Sequence, residues 1–153
     1  MPSSSATAGD ARPHAPVFPC SCHRLRKLTR LMTQRYDHAL APAGINVNQY
    51  AILRRAGQQP RPVGELAAAL GMDRSTLSRD LKHLTAAGWA RLAPSKTDAR
   101  QRLVELTPSG RRVLGVAEPL WRDAQLRIER QLGLDGVAHL HAALDHATRT
   151  LTA

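Results

Sequence analysis

Aromatic residues are scarce in this chain: one Phe, two Trp and two Tyr make up 3% of 153 residues. The core is therefore expected to be aliphatic, built from leucine, valine and alanine, which fits helix packing better than a β-sandwich. Long apolar runs are missing too, so no segment is expected to cross a bilayer, and no hydrophobic signal stretch follows Met1. The expectation is a cytoplasmic protein with no membrane association. Acidic residues are outnumbered, 12 Asp and Glu against 22 Lys and Arg, a formal net charge of +10. That excess suits a polyanionic partner, with nucleic acid and a membrane surface as the two candidates. Catalytic signatures are lacking as well. The histidines His14, His23, His38, His83, His139, His141 and His146 never fall in a His-Glu-x-x-His spacing; no glycine-rich phosphate loop follows a strand, and no serine stands in a nucleophile elbow. No enzyme, resident metal or cofactor is expected.

What the chain does have is concentrated between Gly64 and Leu106. Ala67 stands four residues before Gly71, and Leu77 six after it. Two short helices cross steeply over a tight turn only when the contact residue is small and the turn residue accepts positive φ. Leu66, Leu70, Leu77, Leu81 and Leu84 fall on the inner faces by helical spacing. Asp73 is placed to cap a second helix over residues 74–87, with Gly88 closing it. Arg74, Ser75, Thr76, Ser78, Arg79 and Lys82 then occupy its first turns, a donor-rich set suited to base edges and phosphates.

A hairpin follows directly. Residues 89–92 and 103–106 are short strand-like runs around a polar loop containing Pro94. The loop carries Lys96, Arg100 and Arg102, and an arginine on a projecting tip is suited to a minor groove. Asp98 is suited to holding a neighbouring guanidinium or backbone amide. From Asp73 through Arg102, seven Lys and Arg stand against three Asp and Glu, a local basic footprint. A basic protein-interaction module that never touches DNA would need the same helices but no arginine at the tip.

This order of elements, with Asp98 and Arg100 in the wing and Leu106, Thr107 and Gly110 entering the next helix, resembles the MarR family of bacterial winged-helix regulators from about Cys20 onward. The resemblance implies a homodimer that binds double-stranded DNA at a pseudo-palindromic operator, usually as a repressor, and is released by a small ligand or by thiol oxidation.

The expected fold is thus mainly α with a small β-hairpin wing, a winged helix-turn-helix lobe on a helical dimerisation frame. Residues 1–16 are expected to be a disordered tail and 17–153 a single domain. Within it, 17–44 and 107–153 supply dimerisation helices and 45–106 the DNA-binding lobe. Leu25, Leu28, Met32 and Tyr36 mark a first helix over 22–40, and residues 46–55 a shorter second one, set apart from the DNA-binding pair by Pro60 and Pro62. Thr107 and Pro108 read as N-cap and first residue of a long helix, expected to kink near Gly115 because of Pro119. A last helix follows Gly133, and the first, fifth and sixth helices are expected to interlock with a second copy.

Two places are candidates for sensing. Cys20, Cys22 and His23 cluster at the start of the first helix, where the cationic Arg24, Arg26 and Lys27 favour reactive thiolates. Redox sensing, binding of a thiophilic metal or metalloid, and plain packing all remain open there. An effector pocket is expected between frame and lobe, walled by His38, Asn48, Tyr50 and Arg54 with Leu66 and Met72 opposite.

Overall fold

The computed structural model describes residues 19–95, 98 and 100–152. Its elements are α1 (Ser21–Leu40), α2 (Val47–Gln58), β1 (Arg61–Pro62), α3 (Val63–Leu70), α4 (Arg74–Ala86), β2 (Ala90–Pro94), β3 (Arg102–Leu106), α5 (Pro108–Leu132) and α6 (Leu134–Thr152). The expected fold class, mainly helical with a small β wing, is the one observed. The tail over 1–16 and the wing residue Lys96 lie outside the described residues.

Helix ends follow from short-range chemistry. Asn46 accepts from the Gln49 N–H at 2.9 Å while Gln49 accepts from the Asn46 N–H at 3.1 Å, a reciprocal capping box that starts α2. The Val47 N–H donates to Asp37 of α1 at 2.8 Å, tying the two helices together. α3 stops at Gly71, whose φ of +59° lets the Met72 N–H reach back to the Ala67 carbonyl at 3.0 Å. Thr107 caps α5 by accepting from the Gly110 N–H at 3.0 Å, and Pro108 takes the first helical position, where no N–H is needed. α5 runs undivided through Pro119 for 25 residues. The residue four positions before that proline is Gly115, exposed and with open space about its Cβ position. Gly115 carries no side chain, so the crowding by the proline ring falls on the Gly115 carbonyl alone.

The sheet has one strand more than the hairpin. Its order is β1-β3-β2, all antiparallel, with Arg61 opposite Val104 and Ala90 opposite Leu106. Pro62 is tolerated because β1 is an edge strand, where a missing N–H need break no ladder.

One apolar cluster joins the end of α1 with α2, α3, α4, β2, β3 and α5, with Leu40, Ile52, Leu53, Leu66, Leu77, Leu84 and Val104 fully buried. Of the expected inner-face leucines, Leu66, Leu77, Leu81 and Leu84 are buried and Leu70 is half-buried. The core is not purely aliphatic, because Tyr50 is buried in it. Tyr50 of α2 stacks on Trp121 of α5 at 5.6 Å, and Tyr36 of α1 on the same indole at 6.3 Å. Three of five aromatic residues thus join three helices at one point. α6 buries no residue and packs chiefly on α5.

Candidate nucleic-acid interface

α4 presents two faces. Leu77, Asp80, Leu81 and Leu84 point inward. Arg74, Ser75, Ser78, Arg79 and Lys82 are exposed and Thr76 is half-buried. Asp73 organises the first turn: Oδ1 accepts from the Thr76 N–H at 2.7 Å and the Ser75 hydroxyl at 2.5 Å, and Oδ2 accepts from the Thr76 hydroxyl at 2.9 Å. The Ser75 hydroxyl first, then the Thr76 N–H and the Thr76 hydroxyl, hold the Asp73 carboxyl down at about 2. Asp73 was legible in the sequence as a cap; its grip on both hydroxyls was not, although its signal, an Asp two and three residues before Ser and Thr, stands in plain view.

Ala90, Val104 and Leu106 anchor the base of the wing in the core, and toward its tip the wing is braced by an ion pair and hydrogen bonds. Arg91 of β2 pairs with Glu105 of β3 at 2.7 Å, a cross-strand ion pair at the outer edge. The Ser95 N–H donates to the Gln101 carbonyl at 3.0 Å and the Gln101 N–H to the Asp98 carbonyl at 2.9 Å. The Asp98 carboxylate accepts from the Arg100 N–H at 3.0 Å, so it holds the Arg100 backbone. The side chains of Arg100 and Arg102 are exposed. At the wing's base the Thr107 hydroxyl donates to the Gly88 carbonyl at 2.7 Å, and the Thr107 N–H to the Trp89 carbonyl at 3.1 Å. A Cβ on Gly110 would lie 1.9 Å from that Trp89 oxygen, so only glycine lets α5 start this close to the wing. The arrangement is a basic helix and a basic wing fixed to one lobe.

The family model described as MarR family matches residues 43–101, from before α2 to the wing tip. The transcriptional regulator HosA of Escherichia coli O127:H6 is 32% identical over 100 residues, which are 64% of this chain and 72% of that protein. The chain belongs to the MarR family. This is a family of transcriptional regulators and not of enzymes. The crystal structure of the Mycobacterium tuberculosis regulator MosR in complex with DNA superposes with a TM-score of 0.75 at 34% identity, covering 87% of this chain and 98% of that one. A mutant MarR of E. coli complexed with operator DNA shares the fold, with a TM-score of 0.74 at 24% identity over 82% of this chain and 91% of that one.

In this MarR-family chain the expected effector-pocket residues do not share one pocket. Tyr50 and Arg54 line a cavity of about 380 Å³ with Val47, Ala51, Leu70 and Trp121. The Arg54 guanidinium lies 5.2 Å from the centre of the Trp121 ring. His38 instead lines a cavity of about 500 Å³ between α1 and α5. Asn48 lines a third, of about 440 Å³, with Arg79, Asp80 and His83 of α4. Leu66 is fully buried and Met72 packs on the core, so neither forms a wall. The cause is helical phase: Tyr50 and Arg54 are four residues apart on one face, whereas Asn48 and Tyr50 are about 200° apart around α2. Trp121 of α5 is the residue that joins this cavity to the frame.

Cys20 and Cys22 are exposed and free. Among the described residues no three His, Cys, Asp or Glu side chains are grouped to hold a metal, so Cys20, Cys22 and His23 are not gathered into a ligand set. No helix among the described residues is long and apolar enough to cross a membrane.

Proposed function

We propose that this MarR-family regulator is a cytoplasmic homodimer that represses transcription by seating α4 of each copy in successive major grooves of a pseudo-palindromic operator. The observation that carries the reading is the capped helix α4, with Arg74, Ser75, Thr76, Ser78, Arg79 and Lys82 on its outer turns, rigidly joined to a wing that projects Arg100 and Arg102. MosR, 34% identical and matched over 98% of its length, is described in complex with DNA, which supports the same use here. Lys96 and Asp98 belong to the same wing, one as a phosphate contact and one as a brace. Two such helices read half-sites roughly 34 Å apart.

Release follows from anything that changes this spacing and binds the two spacings unequally. The cavity of Tyr50, Arg54 and Trp121 lies where frame meets lobe, and the Arg54 guanidinium over the Trp121 ring puts a cation beside an aromatic wall, so a small anionic or aromatic ligand suits it. Modification of Cys20 or Cys22 is the second reading, favoured by the exposure of both thiols.

The test is recovery of bound sequences from a random duplex pool, followed by affinity measurements across salt. A palindromic consensus is expected. Arg100→Ala should weaken every duplex and lower the salt slope by about one phosphate contact, whereas Arg79→Ala should change which base is preferred. A parent chain that enriches no sequence, or an Arg100→Ala variant as tight as the parent at matched salt, would overturn the respective assignment.

A further inference from the structure

We propose that Asp73 sets the hydrogen-bond polarity of the first turn of α4, making the Ser75 and Thr76 hydroxyls acceptors that select bases with an exocyclic amino group, adenine or cytosine, in the major groove. The inference rests on the DNA-reading function proposed above. A hydroxyl has one proton and two lone pairs, and an ionised carboxylate has no proton to offer. Both hydroxyl protons are committed to Asp73, that of Ser75 to Oδ1 and that of Thr76 to Oδ2. The carboxyl, held down at about 2, stays ionised wherever a DNA duplex is stable. Each hydroxyl oxygen therefore shows the groove only lone pairs.

Major-groove edges differ in what they return. Adenine N6 and cytosine N4 donate, while guanine O6 and N7 and thymine O4 accept. A free Ser or Thr hydroxyl rotates to serve either kind. A hydroxyl fixed on a carboxylate does not, and against guanine or thymine it would set lone pair against lone pair in a desolvated contact. Thr76 is half-buried and β-branched, so its oxygen has little freedom to turn away. Capping α4 needs only the bond from the Thr76 N–H. The two hydroxyl bonds are additional to the cap and are what gives Asp73 a role in reading.

Asp73→Asn separates the two roles. Its amide oxygen keeps the Thr76 N–H, since Asn caps helices as well as Asp. Its NH2 replaces Oδ2 and donates to the Thr76 oxygen, which frees the Thr76 proton for the groove. Parent, Asp73→Asn and Thr76→Val full-length chains would each be used to recover sites from a random duplex pool, with thermal unfolding as the folding control. Competition on duplexes differing at one position would follow. The parent is expected to require adenine or cytosine at a position in each half-site; Asp73→Asn should move that position to guanine or thymine, by on the order of tenfold in relative affinity. The rest of the site should stay unchanged, and Thr76→Val should lose preference there alone. The proposal is overturned if Asp73→Asn recovers the same bases at every position, if Thr76→Val keeps the preference, or if either variant degrades all positions alike. A parent chain that enriches nothing sinks the DNA-reading itself and this inference with it, an outcome distinct from the other three.

Discussion

Two aspartates on or beside α4 have their pKa values moved in opposite directions. Asp73 is exposed and stabilised as the anion by three hydrogen bonds. Asp80 is 6% exposed, its Oδ2 has no hydrogen-bond partner, and burial pushes its pKa up against the opposing pull of Arg79 and His83. The consequences for stability run in opposite directions with pH. Because the folded pKa of Asp73 lies below its unfolded value, its contribution is full above the usual carboxylate range and disappears as pH falls toward about 2. Because that of Asp80 lies above its unfolded value, the native state holds a proton that the unfolded state has released. Stability is therefore lost as pH rises through the window between those two values. Asp80→Asn should accordingly stabilise the fold by about 1 kcal/mol at neutral pH, and the gain should shrink as pH falls through the usual carboxylate range. Urea unfolding at several pH values checks this; an unchanged or falling midpoint at pH 7 would mean that the carboxylate finds a partner in solution.

At the scale of elements, the joint between wing and α5 fixes where the wing points. Thr107 bonds two carbonyls at the end of α4 while capping α5, and Gly110 leaves room for the Trp89 carbonyl. Gly110→Ala forces that oxygen or the helix to move, and should destabilise the fold by about 3 kcal/mol, at the upper end of overpacking effects. Chemical denaturation would measure it, and a loss below about 0.5 kcal/mol would show that the joint yields freely. The Thr107 cap and the Pro108 start were legible, because caps are written in neighbouring residues; the approach of Gly110 to Trp89 was not, since it joins positions 21 residues apart and Gly110 stood out only through the family resemblance. Asp73 and the leucines of α3 and α4 were legible as the Thr107 cap was, as local chemistry with helical period. β1 was not, since two residues with a proline look like a linker until β3 arrives from 40 residues away to pair with them. The grouping of His38 and Asn48 with Tyr50 failed for a related reason. Chain proximity does not set helical phase, and the meeting of Tyr36, Tyr50 and Trp121 depends on three helices at once.

Across the whole molecule, apolar surface is distributed unevenly. Of the nine large apolar side chains most exposed among the described residues, only Leu92 lies in the lobe; Leu25 and Leu31 are on α1, Val116, Leu126 and Leu132 on α5, and Leu134, Leu144 and Leu151 on α6. A helix such as α6, 19 residues long with none buried, gains little from its own chain and is expected to be held by a second copy. The parent should therefore sediment as twice 16.7 kDa, and its unfolding midpoint should rise with protein concentration. Leu126→Glu with Leu144→Glu would place charges in the seam and should give a monomer whose lobe still folds. That monomer reads one half-site, so its operator affinity should fall by about 100-fold or more as avidity is lost, and its salt slope should fall to about half because half the phosphates are met. The two readouts must move together: if affinity falls while the slope and the sedimentation coefficient stay at the parent's values, the substitutions have damaged the lobe, and the frame made by α1, α5 and α6 is not what pairs the recognition helices.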